Sequence, residues 1–205
     1  MTQLRQTIVS NLDNYRIREV IENGKRWLVA PAAILIHGVL NGNKGPLYYP
    51  EDESKNTAHL WNKIPITHNH PFHPVTNEPL DSDDPLVIER QHIGETRSPV
   101  WDGKTRVEAW FDEDATKNKA PEVYNALKKN QQIALSTGLY TINDTINGVY
   151  NNQPYSAIAR NHKPDHLAVL PNQRGACHLT DGCGIGVTNA AQCVCNTQGK
   201  PNCPT

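Results

Sequence analysis

The chain has 205 residues, 37% of them hydrophobic, with 15 prolines, 13 glycines and a formal charge of −1. That is enough apolar material for one domain with a full core, and too much for a disordered chain. The near-zero charge argues against a nucleic-acid or acidic-membrane partner held by bulk electrostatics. No apolar run approaches the roughly 18 residues of a membrane span, because Pro31 and His37 interrupt the best candidate, "WLVAPAAILIHGVL".

The N-terminal "MTQLRQTIVSNLDN" lacks the basic-then-apolar layout of a secretory signal, so a cytosolic location is expected. "YRIREVIENGKRWLVAPAAIL" places two apolar runs around Asn23-Gly24 and reads as a β-hairpin. "GVLNGNKGPLYYP" reads as a glycine-rich connection followed by a short strand. "LWNKIPIT" reads as a strand leading into "HNHPFHP", which holds His68, His70 and His73. The proline- and acid-rich stretch from Pro71 to Pro85 is expected to be a long surface loop, a place where function often sits.

"TRVEAWF" alternates Val107, Ala109 and Phe111 with Arg106, Glu108 and Trp110, the pattern of a half-buried strand. "DEDATKNKAPEVYNALKKNQQI" carries acids early and Lys128 and Lys129 late, which predicts a helix with charges matched to its dipole. "IALSTGLYTIND" and "VYNNQPYSAIARNHKP" read as strands joined at turn signals, and "HLAVLP" as a short buried strand closing the body. The sum is a β-rich α+β fold, nearer to a barrel with helical flanks than to a doubly wound sheet.

All five cysteines (Cys177, Cys183, Cys193, Cys195 and Cys203) lie at the C-terminal end. The cysteine-free body suits a reducing compartment. The tail admits three readings: a disulfide knot, a zinc lobe that also uses His178, or unligated thiols.

Three segments hold residues suited to chemistry. In "THNHPFHP", two histidines two apart on an extended chain face opposite ways and share an ion only if the chain turns. The JAMM-type zinc proteases use such an HxHP turn, but the serine their motif requires would fall at Pro79. Ser82 is displaced and is followed at the third position by Pro85 in place of aspartate. In "ALSTGLY", Ser136 sits on a strand near Gly138, where the missing side chain leaves room for a substrate backbone. A serine becomes a nucleophile at neutral pH only with a base, and the base needs a group to orient it. "RNHKPDHLAVLPNQRG" holds His162, His166 and Arg174.

Taken in order, "IPITHNHP", "HIGETRS", "LSTGLY" and "DHLAVLPNQRG" resemble the motifs of a bacteriophage family related to prohead proteases, with "YYPEDE" standing for an upstream acidic element. The order His70, Ser136, His166 also resembles the Ser-His-His proteases of the herpesvirus assemblin type. The resemblance spans roughly Tyr15 to Gly182. It implies a protease-like domain over residues 1–182 and a cysteine-rich tail, a small lobe or extension, over 183–205. It implies a closed or partly closed assemblin-like β-barrel flanked by a few helices.

The implied activity is serine endopeptidase action in capsid maturation, inside the assembling procapsid in the host cytoplasm. Scaffold and major capsid proteins would be the substrates, self-cleavage would accompany it, and the enzyme would work as a homodimer. No cofactor is implied beyond the zinc that the tail could hold. Carried over by position, Ser136 is the nucleophile, His70 the general base and His166 the third member, with His162 a rival four residues away. Arg174 and Gly175 match the oxyanion region, although Gln173 stands where the assemblins have a second arginine. Two other readings compete: a zinc hydrolase using His68 and His70, and an inactive relative kept as a capsid-lining or scaffold component.

Overall fold

Asn23 and Gly24 take φ values of 52° and 76°, the pair of left-handed residues that a two-residue hairpin turn demands. They join β1 (Arg18–Glu22) to β2 (Lys25–Ile36) with Glu22 opposite Lys25. The computed structural model describes residues 16–186. Gly38, at φ 129°, ends the run of β2. β3 (Gly38–Gly42) and β4 (Gly45–Tyr49) then form a second hairpin, where the sequence suggested one strand after a connection.

The helix α1 (Glu51–Thr57) opens with Glu51, Asp52 and Glu53 in its first turn, where carboxylates meet the positive end of the helix dipole. A 3-10 turn, Ala58–Trp61, buries Trp61 completely and leads to β5 (Pro65–His68). The long loop follows, and α2 (Pro85–Arg90) starts with Asp84 accepting a hydrogen bond from Leu86 N. β6 (His92–Trp101) and β7 (Lys104–Asp112) pair antiparallel, and Thr105, Val107, Ala109 and Phe111 face the core in strict alternation.

The single expected helix is two, α3 (Glu113–Lys119) and α4 (Pro121–Lys128). Pro121 has no N–H to donate, and its ring drives the preceding residue out of the helical region. Ala120 accordingly sits at φ −144°, ψ 62°. β8 (Ala134–Asp144) carries Ser136; β9 (Gly148–Tyr150) and β10 (Gln153–Tyr155) make a small separate hairpin. β11 (Ala157–Leu170) merges the two strands expected on either side of "KPD" into one of 14 residues, and β12 (Gly184–Ile185) pairs with β2.

The main sheet has ten strands, ordered β1-β2-β7-β6-β5-β11-β4-β3, with β8 on β11 and β12 on β2. β11 is the hinge of this arrangement. Its start runs parallel to β4, its end runs parallel to β5, and β8 lies antiparallel along its other edge. Strands enclosed in this way read as continuous apolar runs, which explains why Leu167, Ala168 and Val169 are all fully buried.

The fold is therefore the expected β-rich α+β class, but no continuous ladder closes the sheet into a barrel. Among the described residues β8 is linked to β2 by the two residues of β12 and the bridge Ile133–Ile185. Residues 183–185, assigned by sequence to the tail, are woven into the body: Cys183 is bonded to Cys177, and Ile185 is buried in the core. That pairing also removes two of the thiols suggested as zinc ligands. Cys193, Cys195 and Cys203 lie outside the described residues. Among the described residues no helix is long and apolar enough to cross a membrane.

Candidate active site

The β8–β11 register sets Ser136 opposite Ala168 and Gly138 opposite His166. β5 runs along the other edge of β11, with His68 level with Val169. Beyond His68 the chain turns at Asn69, which holds φ 64°, a conformation asparagine tolerates better than most residues. The turn is fastened twice, by Asn69 N donating to Val169 O at 3.0 Å and by Thr67 Oγ1 donating to Asn69 O at 2.8 Å. It delivers His70 to His166, with His70 Nδ1 and His166 Nε2 2.8 Å apart and the rings edge to face.

The chain of contacts continues to a residue that the sequence did not single out. His166 Nδ1 lies 2.6 Å from Asp165 Oδ2. Neighbours on a regular strand point to opposite faces, so an aspartate cannot ordinarily serve the histidine beside it. Here the pairing skips a residue between Pro164 and His166. Asp165 is the extra residue of a β-bulge, which re-aims side chains locally. Pro164, which cannot donate to a ladder, was the one signal in the sequence that could have marked the bulge. Asp165 also accepts from Ser82 N at 3.2 Å and Ser82 Oγ at 3.2 Å, which ties the long loop to the site.

With His166 as a neutral imidazole, these contacts set where the protons are. A carboxylate only accepts, so Asp165 requires the proton of His166 on Nδ1. His166 Nε2 is then a lone pair, and the proton between the rings belongs to His70 Nδ1. His70 Nε2 remains as a free acceptor. Burial, with the neighbouring His166 adding to it, pulls the His70 pKa down to about 4, so the ring is neutral and able to take a proton at neutral pH.

Ser136, His70, Gly138 and His166 line one cleft of about 300 Å³. No family model, curated protein or solved structure matches the chain. Its chemistry has to be read from this geometry and from the motifs themselves.

The space beside Gly138 is filled by a protein ring and not left open for a substrate backbone. A Cβ added at Gly138 would come within 2.1 Å of His166 Cε1. Gly138→Ala should therefore push the His166 imidazole off its partners. Displacements of about 1 Å at a reacting centre cost on the order of 10²-fold in rate. The check is the rate at which a serine-directed phosphonate inactivates the variant, with thermal unfolding measured alongside. An unchanged rate would mean the ring position is immaterial.

The other histidines go elsewhere. His68 Nε2 lies 2.7 Å from Glu122 Oε1 on α4, without hydrogen-bond alignment, and takes no part in the His70–His166 contact. His73 Nδ1 accepts from Val75 N and Thr76 N and shapes the loop. His162 is buried against Tyr49, with Nδ1 3.5 Å from Thr57 Oγ1, and burial lowers its pKa. His166, not His162, is the ring that His70 touches. Among the described residues no group of three or more histidine, cysteine or acidic side chains is placed to hold a metal ion.

The segment after β11 divides between two cavities. Ala176 and Cys177 line the cleft of Ser136, whereas the exposed Arg174 and the half-buried His178 line a neighbouring cavity of about 480 Å³. Gly175 lies against β8, where an added Cβ would meet Leu135 O at 2.1 Å. Only a glycine lets this backbone pass so near the serine. The disulfide Cys177–Cys183 pins the far side of the same segment to β12.

Proposed function

We propose that the chain is a serine endopeptidase with Ser136 as nucleophile, His70 as general base, and His166 backed by Asp165 as the group that orients the base. The observation that carries this reading is the directed run of contacts from Asp165 through His166 to His70, in a cleft shared with Ser136. A solitary serine on a strand is inert; a serine that shares a cleft with a neutral base whose tautomer is imposed from behind has the groups acyl transfer needs.

In this mechanism Ser136 Oγ attacks the carbonyl carbon of the scissile peptide bond and its proton passes to His70 Nε2. The imidazolium formed is stabilised through His166 by the Asp165 carboxylate. Collapse of the tetrahedral intermediate breaks the C–N bond, and His70 returns its proton to the leaving amine. Water then repeats the sequence on the acyl-enzyme, with His70 again as base. Backbone N–H groups of the segment 174–177 are the oxyanion donors in this reading, since its backbone and not the Arg174 side chain runs beside β8.

The biological setting follows from the motif resemblance: capsid maturation inside a phage procapsid in the host cytoplasm, with scaffold and capsid-protein extensions as substrates and a homodimer as the working form. The link from β8 through β12 to β2 supports the partly closed version of the assemblin-like barrel.

The reading is tested by incubating the purified chain with a small alkyl fluorophosphonate and measuring intact and peptide masses. One adduct, located on Ser136, is expected. No adduct, or an adduct only on another residue, overturns the assignment.

A further inference from the structure

We infer that the cleft beside Ser136 is a specificity pocket for a large uncharged apolar side chain, phenylalanine or leucine in class, on the acyl side of the scissile bond. This rests on the serine-endopeptidase reading and narrows its substrates to peptides of that class. The floor is made by Ile34, Leu40 and Leu135, whose side chains are buried in the core. Ser136 itself lines this cleft, so a substrate side chain adjoining the attacked carbonyl can enter it. Tyr49 forms a wall, and burial raises its phenol pKa, so it presents a neutral ring.

Phe72 and Leu80 close the outer side from the long loop. That loop is preformed. Phe72 bridges to Pro79, Leu80 N donates to Pro71 O at 3.1 Å, and His73 N donates to Glu78 O at 2.8 Å. Ser82 anchors its end to Asp165. A built, apolar recess of this size is the usual form of a small-group binding site.

Charged side chains find no partner inside. Among the described residues no lysine or arginine lines the cleft, so an acidic side chain finds no counter-charge there. Both lining carboxylates are already engaged, Asp165 by His166 and Ser82, and Asp81 at the exposed rim by the Tyr140 hydroxyl. That last bond pushes the Tyr140 pKa up to about 12, which keeps the proton on the phenol and the bond intact across the working range. Small side chains would leave the recess unfilled, and apolar pockets discriminate by roughly 10- to 200-fold per missing methylene group.

The test uses aminoalkyl phosphonate diphenyl esters, which inactivate serine proteases according to the side chain they carry, in phenylalanine, leucine, alanine, lysine and aspartate forms. The phenylalanine or leucine form should inactivate the full chain at least about tenfold faster than the other three. Phe72→Ala, a truncation at a side chain already 46% exposed, should lower the ratio of the phenylalanine-probe rate to the small fluorophosphonate rate. If the lysine form is fastest, the rim carboxylates select the substrate and the inference is overturned. It is also overturned if the alanine form is fastest or all five react alike. In those cases labelling of Ser136 by the side-chain-free fluorophosphonate keeps the endopeptidase reading intact. If that small probe leaves Ser136 unlabelled, the reading itself fails and takes the inference with it.

Discussion

Ser136→Ala and His70→Ala should each lower peptide-bond cleavage by on the order of 10⁴-fold or more, and the double variant should be no worse than either single one. In the proposed mechanism the two side chains act as a unit, so removing one strands the other, and such effects are grossly non-additive. The residual rate over solution would come from the oxyanion donors and from binding alone. Cleavage is read from the mass of the chain after incubation, which reports the cut site and the rate together. Equal cleavage by wild type and Ser136→Ala would end the serine mechanism. The pH profile gives a second signature of the same pair. A base acts only when unprotonated, and His70 is held at about 4, well below its usual value. The acid limb of kcat/KM should therefore fall near pH 4, where an unperturbed histidine base would fail near 6.5.

Asp165→Asn should reduce kcat by on the order of 10³- to 10⁴-fold with little change in fold, a loss of the size seen when a carboxylate behind a catalytic histidine is neutralised. Asparagine keeps an oxygen to accept from Ser82, so the loop anchor survives. Its NH₂ group must face His166 Nδ1, which then has to be a lone pair. The proton of His166 moves to Nε2 and is donated to His70 Nδ1, and His70 is left with its proton on Nε2, where the acceptor for Ser136 is needed. One substitution thus reverses two tautomers in series. Nitrogen NMR shifts of His70 and His166 would show the exchange directly. A variant with wild-type tautomers and activity within tenfold of the parent would remove Asp165 from the mechanism.

Short-range features of this fold are legible in the chain. Asn23-Gly24 demands a tight hairpin, the alternation from Thr105 to Phe111 demands a strand with one wet face, and Pro121 forbids an unbroken helix. Each depends on bonded geometry or on a period of a few residues, and each was available before folding. Extent was harder to read. β11 continues through Asn161, Pro164 and Asp165 because β8 pairs with it on both sides of these irregularities; locally, "RNHKPDH" looks like an interruption.

The site divides along the same line. Residue types and order singled out Ser136, His70 and His166 as candidates, because a motif is a linear object. What those residues do to one another was decided in three dimensions. A left-handed Asn69 turns His70 back over β11, Gly138 yields its side-chain space to His166, and a bulge brings Asp165 to the same side as its neighbour. The apolar recess is assembled from β2, β3, β4, β8 and a distant loop, and no stretch of sequence contains it. The amino-acid sequence by itself determined the periodicities, the turns and the candidate chemistry, since these are local. Only the tertiary structure decided the tautomers, the contact with Asp165 and the shape of the cleft, since hydrogen-bond direction and excluded volume depend on residues that meet only when the sheet is formed.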